Sequence, residues 1–369
     1  MIAVRLRSLS IKNVRNLARV DVTLVPRLNI LFGDNGHGKT SFLEAIYLVC
    51  TTKSFRTAKM SEVVLHGEAV ASVRASMLEG HEEREQAIGL EGSKRYVTLA
   101  GKRPDSLASY AVRSPVVVFH PGEMVLSSGP ASARRMLLDR IALFSDPSSM
   151  DHCRRYSAAL RARQRTLETR GSDAIELGAF EELMALHGAS LTAARRKASE
   201  HIAEKLQRSF DRITGEHKRI EASYKPGGSE DPEQARQLLC RMRDRDRHGK
   251  NAGSGPHRDD LKIKLGGYDA RIDASQGEHR AITMALKITE LYCIAEARGT
   301  CPMLLLDDVS SELDLGRTAL LFDFLRETDA QVFLTTTQPS LVDTAKFGPS
   351  ERGEFLVRNG VVTAGRAAC

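Results

Sequence analysis

The chain contains 369 residues, of which 41% are hydrophobic and 27% charged, and its formal net charge is +7. These proportions are typical of a globular protein with enough core for two or three domains, or for one large head with an insertion. The basic balance permits nucleic acid or a membrane surface as a partner without requiring either.

Export, membrane insertion and zinc binding all lack a sequence signal. The six cysteines form no CxxC pair and show no histidine spacing that suggests zinc, so free thiols in a reducing compartment are expected. The first residues alternate like a strand and lack the apolar core of a signal peptide. No apolar run approaches the roughly 20 residues that a membrane helix needs. We therefore expect a cytoplasmic protein.

A phosphate-binding loop follows the first predicted strands. Alternation over residues 4–24 predicts β-structure, and a short apolar strand at 29–32 leads into a glycine-rich turn and a helix that begins at Lys39. Gly33, Gly38, Lys39 and Thr40 fit the P-loop pattern. In that pattern backbone N–H groups surround phosphate oxygens, Lys39 reaches the β- and γ-phosphates, and the Thr40 hydroxyl binds Mg²⁺. The predicted ATP-binding residues are Gly33, Asp34, Asn35, Gly36, His37, Gly38, Lys39, Thr40 and Ser41.

The middle of the chain predicts a β-layer followed by helices. Alternating segments within 63–99 predict a second antiparallel layer, and a buried strand is expected between Pro115 and Pro121. An apolar stripe from Phe180 to Ile213 predicts one long helix, and residues 225–256 are loop-rich around one short helix. An alternating pattern then predicts strands at 261–265, 303–306 and 331–334, with helices at 280–296 and 316–326. Seven arginines of the helical stretch fit a solvated face and a DNA contact equally well: Arg154, Arg155, Arg161, Arg163, Arg165, Arg195 and Arg196.

Two carboxylates follow the apolar strand at 303–306. In P-loop enzymes such a strand delivers an aspartate to Mg²⁺, and we assign this role to Asp307. Asp308 comes next and is placed to orient and deprotonate the attacking water, so Asp308 and Lys39 are the predicted catalytic residues. The alternative is a strand that ends in two solvated acids.

A third motif decides the class of ATPase. Ser275, Gln276 and Gly277 precede a strongly helical segment, and alone they fit an ordinary helix N-cap. About thirty residues before the Asp-Asp strand, however, they resemble the signature motif of ABC-type ATPases. That resemblance implies that ATP binds between two protomers, with this serine and glycine contacting the γ-phosphate held by the other copy.

With the three motifs in this order, the chain resembles ABC-type ATPases of the SMC-like branch, and within it the RecF family. The resemblance rests on five stretches: NVRNL at 13–17, KSFRT at 53–57, the segment FHP…RRMLLD within 119–139, GPHRDDL at 255–261 and LLDDVSSELD at 305–314. It implies an α/β fold: an ABC-type P-loop ATPase head, with a mixed sheet and an antiparallel β-layer, carrying an inserted helical arm subdomain. The implied head comprises 1–122 and 257–369, and the implied arm comprises 123–256.

The chain also departs from the pattern of this branch. A single Glu123 follows Gly122 where an acidic pair is usual, and Glu278 with His279 replaces amides in the signature. Thr336 occupies the position of a transporter's switch histidine, and no glutamine stands in 119–121 to sense a γ-phosphate. These departures predict slow hydrolysis, with ATP acting as a dimerisation switch. Asp314 is assigned to the D-loop.

The resemblance implies an ATP-dependent homodimer, with ATP and Mg²⁺ as cofactors, that binds gapped or single-strand/double-strand junction DNA. Such a protein acts with RecO and RecR to load RecA during recombinational repair and the SOS response, and its ATPase is weak and stimulated by DNA. Arg56, Lys53 and Arg15 are candidates for linking DNA to the nucleotide site. For Arg56, a salt bridge inside the head is the alternative.

Three other functions fit parts of the sequence. An ABC transporter subunit needs far less than the about 240 residues that separate the P-loop from the signature, and it carries the switch histidine. A P-loop kinase has no use for a signature motif and would act as a monomer. Another SMC-like head, such as an overcoming-lysogenization-type nuclease ATPase, would be expected to carry an acidic nuclease cluster after the head.

Overall fold

The computed structural model describes residues 4–308, 315–339, 342 and 347–365. The strands are β1 (Val4–Val14), β2 (Leu17–Thr23), β3 (Leu28–Phe32), β4 (Val70–Glu79), β5 (Glu82–Glu91), β6 (Lys94–Leu99), β7 (Val116–Phe119), β8 (Ile220–Lys225), β9 (Asp260–Leu265), β10 (Tyr268–Asp269), β11 (Met303–Leu306), β12 (Val332–Thr336), β13 (Arg352–Arg358) and β14 (Val361–Ala364). The α-helices are α1 (Lys39–Thr51), α2 (Leu107–Ala111), α3 (Val125–Ser128), α4 (Ala131–Ser145), α5 (Ser148–Arg170), α6 (Leu177–Thr214), α7 (Pro232–Arg241), α8 (Arg243–His248), α9 (Ala270–Asp273), α10 (Gln276–Arg298) and α11 (Leu315–Glu327). Within these described residues, no helix combines the length and apolar character needed to cross a bilayer.

The described chain divides into two compact units. The first, the head unit, comprises the residues up to Glu123, Phe210–Glu216 and the residues from Thr283 onward. The second, the helical unit, comprises Met124–Ser209 and His217–Ile282. Residues 257–282 thus cluster with the helical residues, whereas the sequence analysis grouped them with the head. The predicted limits of the head, 1–122 and 257–369, and of the arm, 123–256, remain a proposal.

A six-stranded, mainly parallel sheet forms the centre of the head unit, in the order β14-β13-β3-β12-β11-β7. Its inner strands are almost continuous apolar runs, and every residue of β7, β11 and β12 is buried. Such runs are typical of parallel strands covered on both faces. Because β3, β12 and β11 are neighbours and parallel, their carboxyl ends meet at one edge of the sheet. This edge carries the P-loop and the Asp-Asp pair.

An antiparallel sheet in the order β2-β1-β4-β5-β6 completes the head unit. The N-terminal strands and the predicted 63–99 layer therefore belong to one sheet. In β1 the register shifts between Leu6 and Ser8. This irregularity adds one residue to β1 and so changes which positions face the core. Leu6 before it and Leu9 and Ile11 after it are therefore all buried.

The helical unit contains α5, most of α6 and a small antiparallel sheet in the order β10-β9-β8. The strand predicted at 261–265 is present as β9, but it pairs with β8 and not with the parallel sheet. Residues 225–256 contain two short helices, α7 and α8, so the prediction of one short helix was wrong. Asp231 caps α7 and Met242 separates it from α8, a break that helical periodicity does not reveal.

A buried ion cluster joins the helices of this unit. Arg163 is 0% exposed and donates to Glu181 Oε1 at 3.0 Å, to Asp246 Oδ2 at 2.8 Å and to the Leu239 carbonyl at 2.8 Å. These bonds connect α5, α6 and the α7–α8 segment. Glu181 also pairs with Arg243, whereas Asp246 pairs with no other cation among the described residues, so removal of Arg163 leaves the buried Asp246 uncompensated.

We predict that Arg163→Ala lowers the free energy of unfolding by about 3 kcal/mol or more, because it leaves Asp246 buried without its cation, while Glu181 keeps Arg243. Arg161→Ala, an exposed change on the same helix, is the matched control and should stay within about 0.5 kcal/mol of the wild type. Urea unfolding monitored by circular dichroism measures both. Equal effects of the two substitutions would contradict the prediction.

Candidate nucleotide-binding site

The P-loop between β3 and α1 has a backbone that requires glycine. Gly33, Gly36 and Gly38 have φ values of 145°, 80° and 115°, in the region that favours glycine. A Cβ on Gly33 would lie 2.2 Å from the Val357 carbonyl oxygen. Asn16, which lies outside the loop, also stabilises it, because its side-chain amide donates to the Gly36 carbonyl at 3.0 Å.

Helix α1 begins at Lys39 with Gly38 as its N-cap and no side-chain cap. Its first N–H groups and its dipole therefore suit an anion. Lys39 is 7% exposed, and its ammonium donates to the carbonyls of Gly33 at 2.6 Å and Asp34 at 2.9 Å. Burial lowers the pKa of Lys39, against the opposing effect of nearby aspartates.

Asp307 connects the P-loop to the end of β11. Its Oδ1 accepts from the Thr40 hydroxyl at 2.9 Å and from the Thr335 hydroxyl at 2.8 Å. The carboxyl is 6% exposed, and burial raises its pKa while the two hydroxyl hydrogen bonds and the charge of Arg56 oppose the rise. Thr40 and Asp307, the two predicted Mg²⁺ ligands, are thus in direct contact although they lie 267 residues apart in sequence.

The other residues at this edge have distinct environments. Asp308 is partly exposed, has a φ of 53°, and donates its backbone N–H to the Thr335 hydroxyl at 2.9 Å. Thr336 is 0% exposed, and its hydroxyl accepts from the Gln338 N–H at 3.0 Å in a local turn. Thr335 was not selected from the sequence, yet it contacts both aspartates. The D-loop residue Asp314 lies outside the described residues.

Three segments meet at a buried carboxylate on α1. Glu44 is 0% exposed and accepts two bonds from Arg15, at 2.8 and 2.9 Å, one from Ser54 at 2.6 Å and one from Arg56 at 3.2 Å. Two of the three candidate DNA-contact residues are therefore anchored to the P-loop helix. The third, Lys53, is exposed. Glu44 belongs to no recognisable motif, so the sequence carried no signal for its role.

The segment around Phe55 also contacts the residues that follow β7. The rings of Phe55 and His120 have centroids 4.9 Å apart, and His120 Nε2 lies 3.7 Å from Glu123 Oε1. Glu123 Oε2 in turn lies 3.6 Å from Lys287 Nζ on α10, which also lies 2.6 Å from Glu290 Oε2. This series of contacts leads from the residues beside Glu44 to the buried middle of α10.

Ser275 caps the start of α10 in the helical unit. Its hydroxyl accepts from the Glu278 N–H at 3.3 Å, and its own N–H donates to Glu278 Oε2 at 2.8 Å, which is a capping box. Lys218 Nζ lies 2.5 Å from Glu278 Oε1. Ser275 and Gln276 are exposed, and Gly277 is partly exposed. The predicted signature residues thus share one helix terminus, in a different compact unit from the P-loop.

The comparisons with known proteins agree with this geometry. The family model described as RecF/RecN/SMC N terminal domain matches residues 5–353. The DNA replication and repair protein RecF of Anaeromyxobacter sp. (strain Fw109-5) is 36% identical over 97% of this chain and 99% of its own length. The RecF protein of Myxococcus xanthus (strain DK1622) is 37% identical over 92% of each chain. The chain belongs to the RecF family.

Solved structures place the RecF fold in the same class as the predicted one. The structure titled as the recombination mediator protein RecF-ATP in the RecFOR pathway has a TM-score of 0.87, 27% identity, and covers 99% of this chain and 98% of its own. The Smc head domain of Pyrococcus furiosus has a TM-score of 0.55 at 16% identity over 98% of this chain and 96% of its own, a likeness of fold alone. The predicted fold class, an α/β ABC-type head with a mixed sheet, an antiparallel layer and a helical region, is confirmed.

The cap of the signature helix generates a pH-dependent prediction. The Lys218 ammonium, and after it the Ser275 N–H, lowers the pKa of Glu278 from 4.5 to about 2. A lowered pKa of an acid stabilises the fold above its unfolded value, and this stabilisation is lost as the pH falls from about 4.5 towards 2. Glu278→Gln should therefore cost up to about 1 kcal/mol near neutral pH, since the pair is partly exposed, and progressively less below about pH 4.5, until the cost is nearly lost close to pH 2.

Urea unfolding at several pH values tests this, with Glu182→Gln, an exposed change on α6, as the control. A difference between wild type and Glu278→Gln that stays constant with pH would refute the charge-based account of the cap.

Proposed function

We propose that this chain is an ATP-dependent DNA-binding protein of recombinational repair, in which ATP and Mg²⁺ bind at the P-loop and drive head-to-tail association of two copies. The observation that carries the proposal is the contact between the Thr40 hydroxyl and Asp307 beside a glycine-rich helix N-terminus. The hydroxyl and carboxylate oxygens are the donor types that Mg²⁺ prefers, and the glycine backbone leaves no side chain in the way of phosphates. The residues present therefore fit a magnesium nucleotide.

Each residue of the site has a defined task in this proposal. The residues from Gly33 to Ser41 would bind phosphates through backbone N–H groups. The Lys39 ammonium would break its hydrogen bonds to two backbone carbonyls and neutralise phosphate charge instead. Thr40 and Asp307 would hold Mg²⁺, which when bound neutralises charge on the β- and γ-phosphates. Asp308, partly exposed next to Asp307, would orient and deprotonate the attacking water.

Hydrolysis is proposed to be slow, so that ATP acts as a switch. The hydroxyl of Thr336, at the switch position, takes part in a turn with Gln338, and a threonine cannot act as the general base that a histidine provides. Ser275 and Gln276 are exposed at a helix N-terminus, and a second copy would present them to the triphosphate. The two copies would stay associated as long as the γ-phosphate remains on the nucleotide.

DNA and the repair partners enter the proposal through the family. The ATP-bound relative is a recombination mediator of the RecFOR pathway by its title. By analogy, this chain would bind gapped or junction DNA and act with RecO and RecR towards RecA loading and the SOS response. Lys53, Arg15 and Arg56 would couple DNA to the nucleotide, because a phosphate that draws Arg56 away from Glu44 alters the charge beside the P-loop helix.

The association is tested with two variants that are each defective alone. Lys39→Ala should fail to associate with ATP because it loses phosphate neutralisation, and Ser275→Arg because it blocks the site of the partner copy. In a mixture, the heterodimer retains one complete site, formed by Lys39 of one copy and Ser275 of the other. We expect ATP-dependent association in sedimentation experiments to return at least in part, whereas ADP should support none.

The matched control is Ser106→Arg, an arginine at another exposed capping-box serine, which should leave association unchanged. If the mixture associates no better than either variant alone while Ser106→Arg behaves as wild type, the shared-site arrangement is wrong.

Arg56→Ala tests the link between DNA and the nucleotide. A charged hydrogen bond contributes about 1.5–3 kcal/mol, so DNA stimulation of ATP hydrolysis should fall by about tenfold or more. Lys59→Ala, an exposed cation of the same loop, should preserve stimulation. Steady-state hydrolysis with and without gapped DNA measures both. Unchanged stimulation in Arg56→Ala would assign its bond to Glu44 a structural role only.

A further inference from the structure

The structure separates the seven arginines that the sequence left undecided. Arg163 and Arg195 are buried in ion pairs, Arg154 and Arg155 share Asp151, and Arg196 pairs with Glu230. Arg161 and Arg165, one turn apart on α5, are exposed and make no ion pair with any described residue. Only these two retain a guanidinium that is available to an external partner.

A second set of available cations follows on the α7–α8 segment. Arg241, Arg245, Arg247 and Lys250 are exposed and form no ion pair within the described chain. The same segment contains two aspartates, but Asp246 is 1% exposed and binds Arg163 inside the unit. The fold thus turns one of these two aspartates inward, so the exposed cations of the segment outnumber its exposed acids.

The two sets belong to neighbouring parts of the helical unit. Gln164 directly precedes Arg165, and its Nε2 donates to the Asp246 carbonyl at 3.4 Å. Gly171, which follows the end of α5, lies close to Arg247: a Cβ placed on this glycine would be 3.7 Å from Arg247 Nη1. Packed helices lie about 8–10 Å apart, so the two sets of cations belong to adjoining elements of one unit.

We propose that these six residues, Arg161, Arg165, Arg241, Arg245, Arg247 and Lys250, form a basic surface that binds the phosphate backbone of DNA. Three exposed carboxylates lie on the same elements as these six cations, Glu168, Glu233 and Asp244, and Glu233 is already paired with Arg236. Within 241–250 the one apolar residue is Met242, which is only partly exposed, so the segment has no apolar face to insert into a membrane. Arginine forks suit phosphates without reading bases.

The proposal rests on the proposed function, since it adds a second contact surface to a DNA-binding protein. It gives the helical unit a task of its own: phosphates held there would position the duplex while Arg56 reports to the nucleotide site. The binding should be independent of base sequence and strongly dependent on salt, because each phosphate contact releases counterions.

The test measures the affinity of the full-length protein with ATP for a duplex and for a gapped DNA, across several salt concentrations. One variant carries Arg241→Gln, Arg245→Gln and Arg247→Gln, and a second carries Arg161→Gln and Arg165→Gln. Each lost phosphate contact should reduce the slope of log K against log salt by about 0.9, so the first variant should lose about 2–3 units of slope. The loss of affinity should be the same for duplexes of different sequence.

The matched control carries Arg154→Gln and Arg236→Gln, exposed arginines of α5 and α7 that are held by Asp151 and Glu233. It should change affinity by less than about twofold. ATP-dependent association and the unfolding midpoint must remain those of the wild type in every variant, which separates loss of contact from loss of fold.

The outcomes are distinct. Failure of the wild type to bind DNA in any nucleotide state overturns the proposed function and this surface with it. Wild-type binding with an unchanged salt slope in both variants overturns the surface alone. The proposal is also overturned if the variants keep their DNA affinity but lose binding to vesicles of anionic lipid, or if the control loses as much slope as they do.

Discussion

The nucleotide site depends on one buried carboxylate shared by three strand ends. Asp307 follows β11, Thr335 lies at the end of β12, and Thr40 lies in the first turn of α1, which the P-loop connects to β3. The parallel registers of these strands place Asp307 and Thr335 side by side at the edge of the sheet where β3 leads into the P-loop. Without the two hydroxyl donors, no hydrogen bond from a described side chain would offset the desolvation of this deeply buried carboxyl. The sheet topology and the site chemistry therefore determine each other.

A second carboxylate, Glu44, extends this organisation beyond the P-loop. It accepts hydrogen bonds from Arg15, 29 residues away in sequence, and from Ser54 and Arg56, 10 and 12 residues away. One carboxylate with two guanidiniums leaves a net positive charge beside the P-loop helix, and the Arg56 side chain is 42% exposed. The head unit thus keeps a solvent-exposed cation whose charge opposes the rise that burial causes in the pKa of Asp307. Any anion that binds Arg56 changes the electrostatic environment of the nucleotide site.

The features that could be predicted from the sequence are those encoded locally. Glycine spacing, strand alternation and helical periodicity identified the P-loop, the strand before Asp307 and the long helix α6. Pairing between distant segments has no local signal, so the partner of β9 was missed. In the same way, Arg163 and Arg161 look alike in sequence, and only Glu181 and Asp246, both remote in the chain, make one of them a buried ion-pair residue.

The signature helix shows how a departure from the family pattern can be compensated within the fold. Glu278 places a negative charge at the helix N-terminus where the proposed partner phosphate would approach, and its low pKa keeps it charged at neutral pH. A bare carboxylate there would repel a triphosphate. Lys218 lies just before β8, and its Nζ is 2.5 Å from Glu278 Oε1, so it neutralises the Glu278 carboxylate. The Ser275 hydroxyl therefore stands beside a neutral ion pair, and the cap can remain in place while the helix terminus still attracts an anion.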